Sequence, residues 1–177
     1  MRGTKSILCG ELIRLRAVEP EDLDFLYRFE NDSSLWSVGV SSRPYSKYTL
    51  KHYIAQGASD IYIDGQMRLL INDLEKGEPV GTADLINFEP YHRRAEVGIA
   101  VTSEYRRKGY ACEAVELLEE YARLFLHLNQ LYAYVGETNL ASQRLFEKRS
   151  FMEVAMLPDW ILTPDGYENV VLYQKKM

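Results

Sequence analysis

Apolar and polar residues alternate over Leu12-Ile13-Arg14-Leu15-Arg16 well enough to predict a first strand. Pro20 then opens a helix in which Leu23, Leu26 and Tyr27 share one face, with Glu21 and Asp22 in the acid-favouring first turn. A second short helix is expected after Ser46, carrying Leu50, Tyr53 and Ile54. Residues 67–71 and 80–88 flank Glu75-Lys76-Gly77-Glu78, the pattern of a β-hairpin with a polar, glycine-containing turn. Residues 95–101 form an apolar, β-branched stretch that reads as a central strand. From Tyr110 to about Leu126, Ala111, Ala114, Val115, Leu118, Ala122 and Phe125 follow helical spacing. Strand character returns over 131–135, helix over 140–149 and strand over 151–155. After the turn signal Thr163-Pro164-Asp165-Gly166, Val170-Val171-Leu172-Tyr173 predicts a final strand. The order β α α β β β α β α β β is mixed α/β, with a largely antiparallel front half.

Composition narrows the class without changing this picture. With 177 residues, 46% hydrophobic, the chain is long enough for one domain with a single core, taken as residues 1–177. The formal charge of −5 argues against nucleic acid as a partner held by general attraction, although a local basic patch can still bind phosphate. Two cysteines, Cys9 and Cys112, make no disulfide framework. Residues 1–6 lead into no apolar stretch of signal-peptide length, and no run of apolar residues is long enough for a membrane span. A reduced, cytoplasmic protein is the expectation.

Chemistry concentrates between the strand at 95–101 and the helix that follows. The connection reads Arg106-Arg107-Lys108-Gly109-Tyr110-Ala111. Main-chain N–H groups at a helix start have no partner within the helix and carry the positive end of its dipole. A glycine there lets a ligand approach the backbone, and three consecutive cations add to the field. The segment suits a phosphate or pyrophosphate. The alternative is a solvated basic turn in which Gly109 serves chain direction alone.

These six residues resemble the acetyl-CoA pyrophosphate loop of GNAT-type N-acetyltransferases. A second motif stands at the expected place. Asn139-Leu140-Ala141-Ser142, then Leu145-Phe146-Glu147-Lys148, then Phe151 resemble the family segment that follows its fifth strand. His92-Arg93-Arg94-Ala95-Glu96 and the Gly166-Tyr167 turn resemble the spermidine acetyltransferase branch, and the overall layout also resembles enzymes that acetylate ribosomal-protein N-termini. The resemblance implies a central, splayed, mostly antiparallel sheet flanked by helices. It implies acetyl-CoA as cosubstrate, held by Ile99, Ala100 and Val101 of the fourth strand, by Arg106, Arg107, Lys108, Gly109, Tyr110 and Ala111, and by Asn139, Ser142 and Phe146. Asn139 is also a natural helix N-cap, and Ser142 a polar position on an amphipathic helix. Two positions depart from the family: the tyrosine that relatives use to protonate the leaving thiolate is Phe146, and the usual glycine before Phe151 is Ser150. A thiol with a pKa near 8.5 can still depart as thiolate, at some cost in rate.

Acyl transfer to an amine requires a neutral nucleophile held in line with a polarised carbonyl. Glu96 is the first candidate to take the ammonium proton, with a salt bridge to Arg93 or Arg94 as its structural alternative. Asp84, on the neighbouring hairpin strand, is the second candidate. Gly98 is compatible with a bulge or close approach in the fourth strand. Tyr134 and Tyr173 are candidate replacement acids, or core tyrosines with satisfied hydroxyls. Tyr27, Glu30, Asp32, Trp36, Tyr45 and Tyr48 could line a site for a cationic acceptor, with Glu30, Trp36 and Asp84 the candidate substrate contacts. The acidic pair of the polyamine branch is absent from Val40-Ser41-Ser42-Arg43-Pro44-Tyr45. The leading reading is acetyl-CoA-dependent N-acetylation of a primary amine, on a polyamine-like small molecule or a protein N-terminus. A non-catalytic acyl-CoA-binding or regulatory module is the alternative. The expected partners are acetyl-CoA and the amine, with self-association into a homo-oligomer as a further expectation. No metal, nucleic acid or membrane is expected.

Overall fold

The computed structural model describes residues 7–36, 43–56 and 60–177. Seven strands form one sheet: β1 (Ile13–Arg16), β2 (Met67–Asp73), β3 (Pro79–Glu89), β4 (Arg94–Val101), β5 (Gln130–Gly136), β6 (Met152–Thr163) and β7 (Gly166–Lys176), in the order β1-β2-β3-β4-β5-β7-β6. Neighbours pair antiparallel except β4 and β5, which run parallel. A parallel pair needs a crossover, and the helix α5 (Tyr110–Leu124) supplies it. Its buried face, Ala114, Val115, Leu117, Leu118 and Ala122, covers one side of the sheet. On that side Val97, Leu131, Ala133, Val135, Phe146 and Phe151 complete the main core.

The opposite face of β2 is covered by α1 (Leu23–Glu30) and α3 (Lys47–Gln56), which enclose a smaller core of Leu26, Leu50 and Leu70. Along α1 the buried positions are Leu26 and Phe29, whereas Tyr27 is exposed and lies under the Lys47 ammonium, 5.4 Å from its ring centre. The expected apolar face was therefore turned by one position. Two single-turn helices, α2 (Ser33–Trp36) and α4 (Ile61–Asp64), add to the expected order, each too short to show a period. Helix α6 (Leu140–Lys148) precedes β6, which runs eight residues beyond the expected end at 155. Register shifts between Glu153 and Ala155 and between Leu157 and Ile161 break its alternation, which hides its length from a period-based reading.

Candidate active site

The site begins where the parallel pair comes apart. Strands β4 and β5 pair over only three positions, Arg94 with Gln130, Ala95 with Leu131 and Glu96 with Tyr132. Beyond them β4 continues to Val101 and β5 to Gly136, with no partner on the shared side. Because β4 stays paired to β3 as far as Val101, its other edge offers main-chain N–H and C=O groups to the gap. Gly98, Ile99 and Ala100 are partly exposed although they lie on an inner strand. The expected splay is present, between Gly98 and residues 131–135; of the two readings of Gly98, a bulge or a close approach, the bulge is not found. Gly98 pairs in regular register with Asp84, and the irregularity of this strand pair lies between Ile86 and Glu89.

The start of α5 faces the gap from the C-terminal end of β4. Gly109 is its N-cap in the left-handed region, φ 90°, and no side chain caps the helix. Arg107 is left-handed as well, φ 62°. Two left-handed residues around Lys108 turn successive main-chain N–H groups toward one side, the geometry of an anion cradle. The neighbouring side chains are committed elsewhere. The Tyr110 hydroxyl donates to Asp73 Oδ2 at 2.6 Å, the Arg106 Nε to the Val101 carbonyl at 3.1 Å, and Lys108 Nζ lies 4.7 Å from the Tyr105 ring centre. That hydroxyl holds Asp73 below the usual carboxylate range, and the bond pushes the Tyr110 phenol up to about 12. Glu113, in the first turn, bends away to accept the main-chain N–H groups of Glu11, Leu12 and Ile13 at 2.6–2.9 Å. Tyr110 can therefore serve a ligand through its backbone, not its ring. A Cβ at Gly109 would meet Leu12 Cδ1 at 3.3 Å in a backbone conformation that side chains rarely adopt. Open N–H groups of this kind suit an anionic ligand.

At α6 the arrangement is reversed. Asn139 is the N-cap, and its own Oδ1 accepts the Ser142 N–H at 3.1 Å. Its capping role is thus in place. Phe146 is buried among aromatic rings, edge-on to Phe151 (5.0 Å between centres) and stacked on Tyr173 (6.3 Å). Its ring has no proton to give, so it is no acid. Of the two replacement candidates, Tyr173 is fully buried and reaches Glu147 Oε1 at 3.3 Å, the satisfied core tyrosine. Tyr134 is 41% exposed and stacks on Trp160.

Glu96 is the last paired residue of β4 before the strands part. Burial raises its carboxyl above the usual range, against the opposing pull of a hydrogen bond from Asn87 Nδ2 at 2.7 Å. Neither arginine pairs with it: Arg94 holds Glu89 at 2.7 Å, and Arg93 Nε donates to the His127 carbonyl at 2.7 Å. Asn87 was not among the sequence candidates. It reaches Glu96 from the irregular part of β3 with φ 49°, a local distortion that no alternation pattern reveals. Tyr132, opposite Glu96, has its phenol pushed up to about 12 by burial and by the Glu96 charge, so it stays protonated.

Asp84 and Glu30 lie together, joined by a residue the sequence did not single out. Arg68 Nε and Nη2 donate to the two Asp84 carboxyl oxygens at 2.9 and 3.0 Å, and its Nη1 to Glu30 Oε1 at 2.5 Å. Burial pushes the Asp84 carboxyl up while Arg68 pulls it down. Trp36 donates its indole N–H to the Glu30 carbonyl at 2.9 Å, which places it beside this cluster. Asp32 caps α2 by accepting the Ser34 N–H, and Tyr45 accompanies Leu26 and Leu50 in the small core. Tyr48 is 73% exposed and packs on His52. Val40, Ser41 and Ser42 lie outside the described residues. Two cavities open on the face of the sheet that carries Glu96, one lined by its β3 partner Ile86 and the other by its β5 partner Tyr132. One, of about 110 Å³, is lined by Tyr53, Gln66, Met67, Arg68, Asp84 and Ile86. The other, of about 300 Å³, is lined by Glu89, Arg94, Tyr132, Tyr134 and their neighbours. Among the described residues no His, Cys, Asp and Glu group could hold a metal, and no helix is long and apolar enough to cross a membrane.

A parted parallel strand pair with an open helix start at its mouth is matched by known proteins. The family description "Acetyltransferase (GNAT) domain" fits residues 13–152 of this chain. The chain belongs to the GNAT acetyltransferase family. Spermidine N(1)-acetyltransferase of Escherichia coli (strain K12) is 27% identical over 163 residues, covering 90% of this chain and 83% of that protein. An uncharacterized N-acetyltransferase of Bacillus licheniformis, p20, is 29% identical over 154 residues, 86% of each chain. In fold, the crystal structure of spermidine N-acetyltransferase from Vibrio cholerae in complex with CoA and spermine superposes with a TM-score of 0.85 at 23% identity, covering 94% of this chain and 96% of that one. The chain is accordingly an N-acetyltransferase, with acetyl-CoA as its acyl donor.

Proposed function

We propose that the acceptor is a primary amine of a polyamine-like small molecule, acetylated at the point where β4 and β5 part. The observation that carries this reading is Glu96: half-buried, free of any arginine, its carboxyl raised by burial above the usual range, and standing at the apex of the gap beside Ile86 and Tyr132, which line one cavity each. A base of that kind takes the proton of an ammonium near working pH better than an exposed carboxylate does. The pyrophosphate of acetyl-CoA rests on the main-chain N–H groups from Arg107 to Ala111, and the pantetheine enters the gap along Ile99, Ala100 and Val101. The amine nitrogen, deprotonated by Glu96 directly or through a water, bonds to the thioester carbonyl carbon. The carbon–sulfur bond breaks, and coenzyme A leaves as thiolate. Phe146 gives no help at that step: the nitrogen sheds its second proton to water as the amide forms, and the thiolate gains a proton from water, directly or through Tyr134, the exposed phenol on β5. The curated spermidine enzymes among its relatives support a polyamine, and the small cavities beside Glu96 suit a small amine more than a peptide.

The test is release of free thiol from acetyl-CoA with a panel of polyamines, amino acids, aminoglycosides and N-terminal peptides. Polyamines should give the highest kcat/KM. Preference for peptides would move the acceptor to the protein N-terminus class. Coenzyme binding without thiol release from any amine would contradict the reading.

A further inference from the structure

An acidic side chain near the start of a helix is drawn to the unpaired N–H groups there, because side chains lean toward the N-terminus and the dipole favours negative charge. Glu113 is the fourth residue of α5, and it makes no such bond. Both its oxygens are spent on another part of the chain. Oε1 accepts the Glu11 N–H at 2.6 Å, and Oε2 accepts the Leu12 and Ile13 N–H groups at 2.9 Å each.

The turn that receives the carboxylate is held by bonds of its own. The Gly10 N–H donates to the Ile13 carbonyl at 2.8 Å, the Leu15 N–H to the Leu8 carbonyl at 2.7 Å, and the Leu74 N–H to the Leu12 carbonyl at 3.0 Å. Glu11 and Leu12 are exposed, so water would serve their N–H groups if the carboxylate lay elsewhere. The turn therefore does more for Glu113 than Glu113 does for the turn. Gly10 is what allows the approach: a Cβ there would stand closer than 3.0 Å to the carbon and both oxygens of the Glu113 carboxyl group. Its φ is not left-handed, so the glycine answers to the carboxylate and not to a turn conformation. Leu12, from the same turn, lies 3.3 Å from the place of a Cβ on Gly109, which sets the moored carboxylate and the cradle side by side.

Resting on the reading that the pyrophosphate of acetyl-CoA sits at the start of α5, we propose that Glu113 is a positioning residue for coenzyme binding. The turn of residues 10–13 draws its carboxylate off the helix, so the N–H groups from Arg107 to Ala111 stay open for the diphosphate. A carboxylate released from the turn closes over those same N–H groups and competes with the ligand.

The experiment measures kcat, KM for acetyl-CoA and KM for the amine in the native enzyme and in Gly10→Ala, Glu113→Asp and Glu113→Ala. Gly10→Ala pushes the carboxylate out of the turn and Glu113→Asp shortens its arm, and both leave the charge on the helix. Each should raise KM for acetyl-CoA about tenfold, with kcat at saturating coenzyme and KM for the amine unchanged. Glu113→Ala loses the same bonds together with the charge, and its KM for acetyl-CoA should stay within about threefold of native. Adding Glu113→Ala to Gly10→Ala should bring KM back to the value of Glu113→Ala alone, a rescue that a purely structural mooring would not give. A KM for Glu113→Ala as high as that for Glu113→Asp would overturn the proposal, as would a native KM in Gly10→Ala. Should Gly10→Ala fail to fold, the two substitutions at Glu113 decide the matter. Gly109→Val, measured alongside, tests the cradle separately: native coenzyme affinity there would overturn the reading on which the proposal stands.

Discussion

The two ends of the cleft are built from different materials. At the proposed coenzyme end the groups on offer are backbone: a left-handed glycine at the start of α5, a left-handed arginine near it, and side chains turned toward Asp73, Val101 and Tyr105. At the acceptor end the chemistry rests on carboxylates whose charge depends on their surroundings. Backbone N–H groups do not titrate, and almost any sequence supplies them provided the chain can take the required turn. Carboxylates can be tuned by a neighbour, and can be lost by one substitution. Coenzyme recognition should therefore be insensitive to mildly acidic pH, and turnover should not.

The largest expected effect falls at the backbone end. Gly109→Val forces a β-branched residue into φ 90° and into Leu12, and covers the open helix start. Acetyl-CoA affinity by calorimetry should fall about a hundredfold or more, while backbone strain costs about 1–3 kcal/mol of stability. Unchanged affinity would move the pyrophosphate elsewhere. Asn139→Ala tests the opposite kind of helix start, one closed by its own side chain. Loss of that cap should cost about 1 kcal/mol and lower the thermal midpoint by about 2–4 °C. Coenzyme affinity should change little; a loss as large as that of Gly109→Val would make Asn139 a ligand rather than a cap.

At the carboxylate end the expected effects are shifts rather than losses. Asn87→Leu removes the hydrogen bond that favours the charged form of Glu96, so its carboxyl rises further. The protonated acid cannot accept the substrate's proton. The acid limb of the kcat/KM profile should therefore move to higher pH, by up to about one unit. A move to lower pH, or none, would separate Glu96 from the rate. The smallest effect is expected for Phe146→Tyr, which adds a proton donor to a ring already packed between Phe151 and Tyr173. A modest rise in acyl transfer at constant coenzyme affinity would place the ring edge at the thioester sulfur. A lower thermal midpoint without a faster rate would show the hydroxyl sealed in the core.

The same contrast explains what could be read from the sequence. The coenzyme end is written in consecutive residues, with the strand at 95–101, the Arg106 to Ala111 connection and the periodic helix following one another, so local rules reach it. The cap at Asn139 is equally local. The acceptor end depends on residues brought together by register. Arg68 faces Asp84 because β2 and β3 pair around the Glu75 to Gly77 turn, a hairpin that the pattern predicts without its register. Glu30 joins them only through the packing of α1 on the sheet, which periodicity does not specify. Asn87 reaches Glu96 through a distortion between Ile86 and Glu89, a departure from the alternation by which strands are recognised.

Glu96→Gln offers the most direct test of the claim that acetyl transfer occurs at the apex of the parted strands. The substitution keeps the shape and removes the base. Thiol release from acetyl-CoA with the best amine of the panel should slow by about a hundredfold or more, while acetyl-CoA affinity stays at the native value and the acid limb of the remaining activity disappears. A variant that turns over at the native rate with the native pH profile would contradict the account.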